Sequence, residues 1–110
     1  DTLVIDRALD KYRAGKRNLA ALAAHYGVRQ DGAHSAEGDA LCAARIVWAM
    51  SKRLWPISKY SLEEINAWQA VQHAEWAAGF QAHRRKTEPT AVIDGSWPIR
   101  KPTQQQEVAA

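Results

Sequence analysis

The sequence predicts a mostly α-helical chain. Three observations carry that expectation: two segments with apolar residues at three- and four-residue steps, a capping box opening a third segment, and the lack of a clear run of alternating strand pattern. At 110 residues the chain is one domain of ordinary size or less. Hydrophobic residues make up 46% and charged residues 25%, which excludes a wholly disordered or collagen-like chain.

The first segment is open to two readings. Leu3-Val4-Ile5 fits the end of a buried strand, and Ile5, Ala8 and Leu9 equally fit one face of a short helix. Lys11-Tyr12-Arg13-Ala14-Gly15-Lys16-Arg17 follows; four of its seven residues are basic, and Gly15 breaks a helix, so an exposed loop is expected. Asn18 is a favoured N-cap, because its side chain accepts from orphan amides of a first turn. Leu19, Leu22, Ala23 and Tyr26 continue at helical spacing, and Gly27 stands where a left-handed C-cap belongs.

A turn-rich connection follows, with Asp31-Gly32 as its clearest signal. A second helix is expected from about Ser35 to Arg53, with Ala36, Ala40, Ala43, Val47 and Met50 in register. Ser61-Leu62-Glu63-Glu64 is a capping box for a third helix running through Trp68, Trp76 and Phe80 towards Arg85. His83-Arg84-Arg85-Lys86 puts positive charge at its C-terminal end, where the helix dipole favours it, and Pro89 stops it. Residues 91–99 are expected to be an extended, ordered segment with Asp94-Gly95 as a turn and Trp97 as an anchor; residues 101–110 are expected to be a disordered tail.

Charge and cysteine content narrow the function classes. The formal net charge of +3 is compatible with a phosphate-bearing partner. The lone Cys42, mid-helix among alanines, excludes an internal disulfide framework and a multi-cysteine zinc site. No stretch approaches the roughly 20 apolar residues of a membrane span, and no targeting segment is visible, so a cytoplasmic location and no membrane partner are expected. The start at Asp1-Thr2-Leu3, without methionine, fits a piece of a longer protein.

Chemistry concentrates in His34-Ser35-Ala36-Glu37-Gly38-Asp39. Five helical steps would turn His34 and Asp39 about 140° apart. They converge only if His34 precedes the helix and folds back, which Ser35 as N-cap allows. Asp39 is then a candidate ligand for a divalent metal, and His34 a candidate general base on a loop. The four cations Lys11, Arg13, Lys16 and Arg17 are candidates to grip the phosphates of a single strand. Trp48, Trp55, Trp68 and Trp76 are expected to pack, and His25, His73 and His83 lack a carboxylate at a convincing spacing.

The order of these segments resembles a known family. Gly15-Lys16-Arg17, then Leu19, Leu22 and Tyr26-Gly27-Val28, then His34, Ala36 and Asp39-Ala40, together look like the third motif of the DEDDh 3′–5′ exonucleases and its preceding helix. These are the DnaQ-like proofreading enzymes, epsilon-like subunits of replicative polymerases among them. The stretch from Ser61 through Trp76 and Phe80 to Val92-Ile93-Asp94-Gly95-Ser96-Trp97-Pro98 looks like the tail of exonuclease-like proteins of actinobacteria and their phages.

The resemblance implies an α/β ribonuclease H-like fold in the intact protein, this chain being the mostly helical C-terminal part that lacks most of the sheet. It divides the chain into residues 1–55, the end of the exonuclease domain, residues 56–100, a helical extension, and the tail 101–110. It implies hydrolysis of terminal phosphodiesters of DNA at a single-stranded 3′ end, in replication or repair, with Mg²⁺ or Mn²⁺. Of that family's residues His34 carries over as general base and Asp39 as metal ligand. No Asp-x-Glu occurs in the chain, and neither Asp1, Asp6 nor Asp10 has a suitable context to replace it. One carboxylate does not hold two ions roughly 3.5–4 Å apart. The isolated chain is therefore expected to be inactive, and its helix faces to be covered by the missing N-terminal half or by self-association. The alternative is a non-catalytic helical module that binds nucleic acid or a protein.

Overall fold

The computed structural model describes residues 1–32 and 34–101; the expected tail falls, from residue 102 onward, outside them. Among the described residues there are four α-helices and no strand: α1 (Thr2–Leu9), α2 (Leu19–Tyr26), α3 (Ala36–Arg53) and α4 (Leu62–Arg84), with a 3-10 turn at Ile57–Lys59. No helix among them is long and apolar enough to cross a membrane. Two compact units result, Asp1–Ile65 and Asn66–Ala110.

The ambiguity of the first segment resolves to helix. The Asp1 side chain accepts from the amides of Leu3 at 3.1 Å and Val4 at 3.3 Å, so the first turn has its cap. Val4, Ile5 and Asp6 are all buried, the carboxylate included, so this face carries a charge into the interior.

Local chemistry sets the next ends as expected. Asn18 Oδ1 accepts from the Ala21 amide at 2.8 Å and opens α2. Gly27 closes it at φ +67°, with the Val28 amide reaching back to the Ala23 carbonyl at 2.9 Å. Ser35 caps α3, and α3 ends at Arg53, two residues before the Trp55-Pro56 step that disfavours helix. Ser61 and Glu64 form the reciprocal box, each side chain accepting from the other's amide at 3.1 Å.

The core of the first unit lies where α2 and α1 meet α3, with the 3-10 turn against α3 as well. Cys42, Ile46, Ala49 and Met50 recur on the inward face of α3 at four-, three- and one-residue steps; Leu22, Ala23 and Tyr26 face inward from α2, and Val4 and Ile5 from α1. Ile5, Leu22, Ile46 and Met50 are each essentially sealed from water, and burial of such a side chain stabilises by roughly 1.5–3 kcal/mol. Two expected packing residues lie elsewhere: Trp48 is 62% and Trp55 77% exposed. Trp48 projects from the outer side of α3, with the Lys52 ammonium 3.6 Å from its ring centre.

In the second unit the segment after α4 runs back beside the helix. His73 Nε2 lies 3.1 Å from the Asp94 carbonyl, the Ile93 amide donates to Gln81 Oε1 at 3.0 Å, and Arg85 Nε donates to the Ala91 carbonyl at 2.9 Å. Gly95 lies against the helix at small residues: a Cβ there would stand 3.5 Å from Ala74 Cα and 3.6 Å from Ala77 Cβ. Asp94 tightens the turn by accepting from the Ser96 amide at 2.9 Å and hydroxyl at 2.6 Å, and from the Lys101 amide at 2.8 Å. Those bonds, the Ser96 pair first, hold its carboxyl below the usual carboxylate range. His73 is thus a buried structural histidine, bonded to a carbonyl 21 residues away that no spacing rule would find.

Candidate functional site: the loop entering α3 and the basic loop

The loop entering α3 is built on left-handed residues and one close approach. Gly32 has φ +62° and His34 φ +71°. The Ser35 amide and hydroxyl donate to the Gly32 carbonyl at 3.0 and 2.6 Å, and Ser35 Oγ accepts from the Gly38 amide at 3.0 Å. The loop then lies so close to the first turn of α3 that a Cβ on Gly38 would stand 2.3 Å from the Gly32 oxygen and 2.4 Å from the Asp31 oxygen. Only glycine fits there without a shift.

A second tether holds the loop from the other side. Asp31 Oδ2 accepts from Arg29 Nε and from Arg45 Nη1, both at 3.0 Å, and Arg45 also donates to the Arg29 carbonyl at 3.0 Å. The Arg45 hydrogen bond, with Arg29 beside it, holds the Asp31 carboxyl below its ordinary range.

This folding-back brings His34 and Asp39 together. His34 stands outside the helix, ahead of the Ser35 cap, and its backbone amide donates to Asp39 Oδ1 at 3.2 Å. His34 is exposed and Asp39 half-buried. Among the described residues no group of three or more His, Cys, Asp or Glu side chains is arranged to hold a metal ion. Asp39 offers one carboxylate, already bonded to an amide, which does not by itself make a two-ion site.

The basic loop divides into two pairs. Lys11 and Lys16 point to solvent, whereas the guanidinium groups of Arg13 and Arg17 turn inward to Asp6, their side chains only 20% and 14% exposed. Arg13 donates to the two Asp6 oxygens at 2.9 and 2.7 Å and to Asp10 Oδ2 at 2.5 Å. Arg17 donates to Asp6 Oδ2 and to the carbonyls of Asp10 at 2.7 Å and Arg13 at 3.0 Å. Tyr26 Oη completes the set, donating to Asp6 Oδ1 at 2.7 Å. Burial alone would raise the Asp6 carboxyl, but the bonds from Arg13, Tyr26 and Arg17 outweigh it and hold the group below its ordinary value. Burial, and then the hydrogen bond to the Asp6 carboxylate and its charge, push the Tyr26 phenol up to about 12.

Sequence spacing missed this cluster, because Asp6 meets partners 7, 11 and 20 residues away. It also missed a carboxylate near His25, whose Nε2 stands 3.8 Å from Asp10 Oδ2. The one available signal was an acid beside Val4 and Ile5 on a short amphipathic segment, which asks for a buried counter-charge.

No family model matches the chain, and no curated protein or solved structure matches it.

Proposed function

We propose that the chain is the C-terminal portion of a 3′–5′ exonuclease of the DEDDh type, acting on the single-stranded 3′ end of DNA. The observation that carries this proposal is the fold-back at α3: a histidine held just ahead of the helix, its amide on the carboxylate of Asp39 inside the opening turns. In this assignment the His34 ring takes a proton from the water that attacks the terminal phosphorus. The new bond forms to that water oxygen and the bond to the 3′ oxygen breaks. That oxygen takes a proton from solvent and stays on the shortened strand as its new 3′ hydroxyl, and a nucleoside monophosphate leaves. Asp39 supplies one ligand to Mg²⁺ or Mn²⁺, the other carboxylates and the sheet of a ribonuclease H-like fold coming from residues outside this chain. Residues 1–55 belong to that domain and residues 56–100 to its helical extension, in a cytoplasmic protein of replication or repair.

The test is a nuclease assay in two arms. The 110-residue chain alone releases no nucleotides with either metal. In the longer protein that supplies the remaining carboxylates, His34→Ala lowers the rate by about 10²–10⁴-fold while metal binding, read by calorimetry, is kept. Unchanged turnover in that variant removes His34 from the chemistry and the proposal with it.

A second reading, a non-catalytic helical module, is favoured by the exposure of Trp48 and Trp55 on the first unit, since uncovered indoles are common anchors at partner surfaces. Full nuclease turnover in the longer protein would exclude it.

A further inference from the structure

The loop between α1 and α2 holds out an aromatic ring that the proposed chemistry leaves unused. Tyr12 is 91% exposed, in contrast to the buried Tyr26. Lys11 Nζ stands 5.5 Å from its ring centre. Lys16, also exposed, forms no ion pair among the described residues, and neither does Lys11.

An exposed loop of this composition would ordinarily be mobile, and ordering it on binding would cost affinity. Here the backbone on both sides of Tyr12 is tied from within. Arg17 Nη2 spans the carbonyls of Asp10 and Arg13, the Arg13 amide donates to the Asp10 carbonyl at 3.2 Å, and the Arg13 guanidinium is fixed on Asp6. The inward arginines absorb the charges of Asp6 and Asp10. What remains facing solvent is one flat ring with the Lys11 ammonium over it at 5.5 Å, and a second ammonium, that of Lys16, further along the same loop.

We propose that Tyr12 is a stacking platform for a base of a single-stranded nucleic acid, with Lys11 and Lys16 on the adjoining phosphates. Arg13 and Arg17 are positioning residues that hold the platform out. Stacking on an aromatic face tolerates any base, and the flanking cations track the backbone, which is the pairing of contacts that sequence-tolerant single-strand binders use. The charge left at the surface is positive, complementary to phosphate. This proposal rests on the nucleic-acid partner named above and not on the catalytic roles of His34 and Asp39.

The experiment is fluorescence anisotropy of labelled oligothymidylate and oligouridylate with the 110-residue chain in a metal chelator, so that hydrolysis plays no part. The chain binds at least one of the two. Tyr12→Ala weakens binding by about tenfold, and Tyr12→Trp keeps it. The double change Lys11→Ala, Lys16→Ala reduces the slope of log affinity against log salt by about 0.7 for each lysine. Circular dichroism confirms that each variant stays folded. Failure of the parent chain to bind either oligonucleotide overturns the proposal. So does a Tyr12→Ala variant that binds like the parent, or a Tyr12→Trp variant as weak as Tyr12→Ala. Failure of the exonuclease assignment appears separately, as a His34→Ala change without effect on turnover, while the anisotropy result stands.

Discussion

Asp6 and Asp39 are both helical carboxylates approached by a loop that folds back along the chain, and they end in opposite conditions. Asp6 is fully buried and takes hydrogen bonds from Arg13, Arg17 and Tyr26. Asp39 is half-buried and takes, among the described residues, one bond from the His34 amide. A carboxylate whose acceptor capacity is filled by two fixed cations and a phenol is a structural element: removing it leaves charge stranded. One with capacity left over can still bind something else. The contrast separates the acid of the middle of α1, which holds the basic loop in place, from the acid in the first turn of α3, which keeps acceptor capacity to spare.

The largest effect is expected on the filled side. Asp6→Ala leaves two guanidinium groups, 20% and 14% exposed, without their shared anion and should destabilise the first unit by about 3–5 kcal/mol in urea unfolding. A loss below about 1 kcal/mol would mean that the cluster is a solvated ion pair after all. The same site gives a pH dependence with a definite sign. The folded Asp6 carboxyl is depressed, so its contribution is complete above its unfolded value of about 3.9 and is lost as pH falls through the folded value. The gap in stability between parent and Asp6→Ala should therefore close only on the acid side of about pH 4.

Tyr26→Phe is expected to come next. It removes one hydrogen bond to a buried charge, worth about 1.5–3 kcal/mol. The folded phenol is raised to about 12, so the stabilisation it confers is complete below about pH 10 and is lost as pH rises through the folded value. The phenylalanine variant should lack that alkaline step, and a parent chain equally stable across that interval would contradict the assigned bond.

Gly38→Ala sharpens the other half of the comparison at smaller cost. Its methyl would stand 2.3 and 2.4 Å from two loop oxygens, so the loop must lift, at about 1–3 kcal/mol. The expected signature is loss of hydrogen-exchange protection at the His34 amide, the group bonded to Asp39. Retained protection there would show that the loop holds the pair together without this close approach.

What could be read from the sequence was whatever is fixed within about five residues. Asn18, Gly27, Ser35 and the Ser61–Glu64 box each act on neighbouring backbone groups, and the helix ends they cap follow from them. The placement of His34 ahead of the Ser35 cap, with its backbone amide on Asp39, was legible for the same reason, as a matter of one cap and five residues. The eight residues of α1 were too few for periodicity to separate helix from strand. The Asp6 cluster was invisible because its partners converge only once α1 and α2 are packed. The exposure of Trp48 was hidden by an alanine-rich helix, where several faces look equally suited to burial. The return of the segment after α4 to His73, at Asp94, likewise depends on tertiary contact over 21 residues.

Cys42 gives the molecule a built-in clock. It is the chain's single thiol and is wholly sealed on the inward face of α3. A thiol-reactive dye can reach it only when that helix lifts from its neighbours, so the labelling half-life times the opening of the same helix that carries Asp39 at its start.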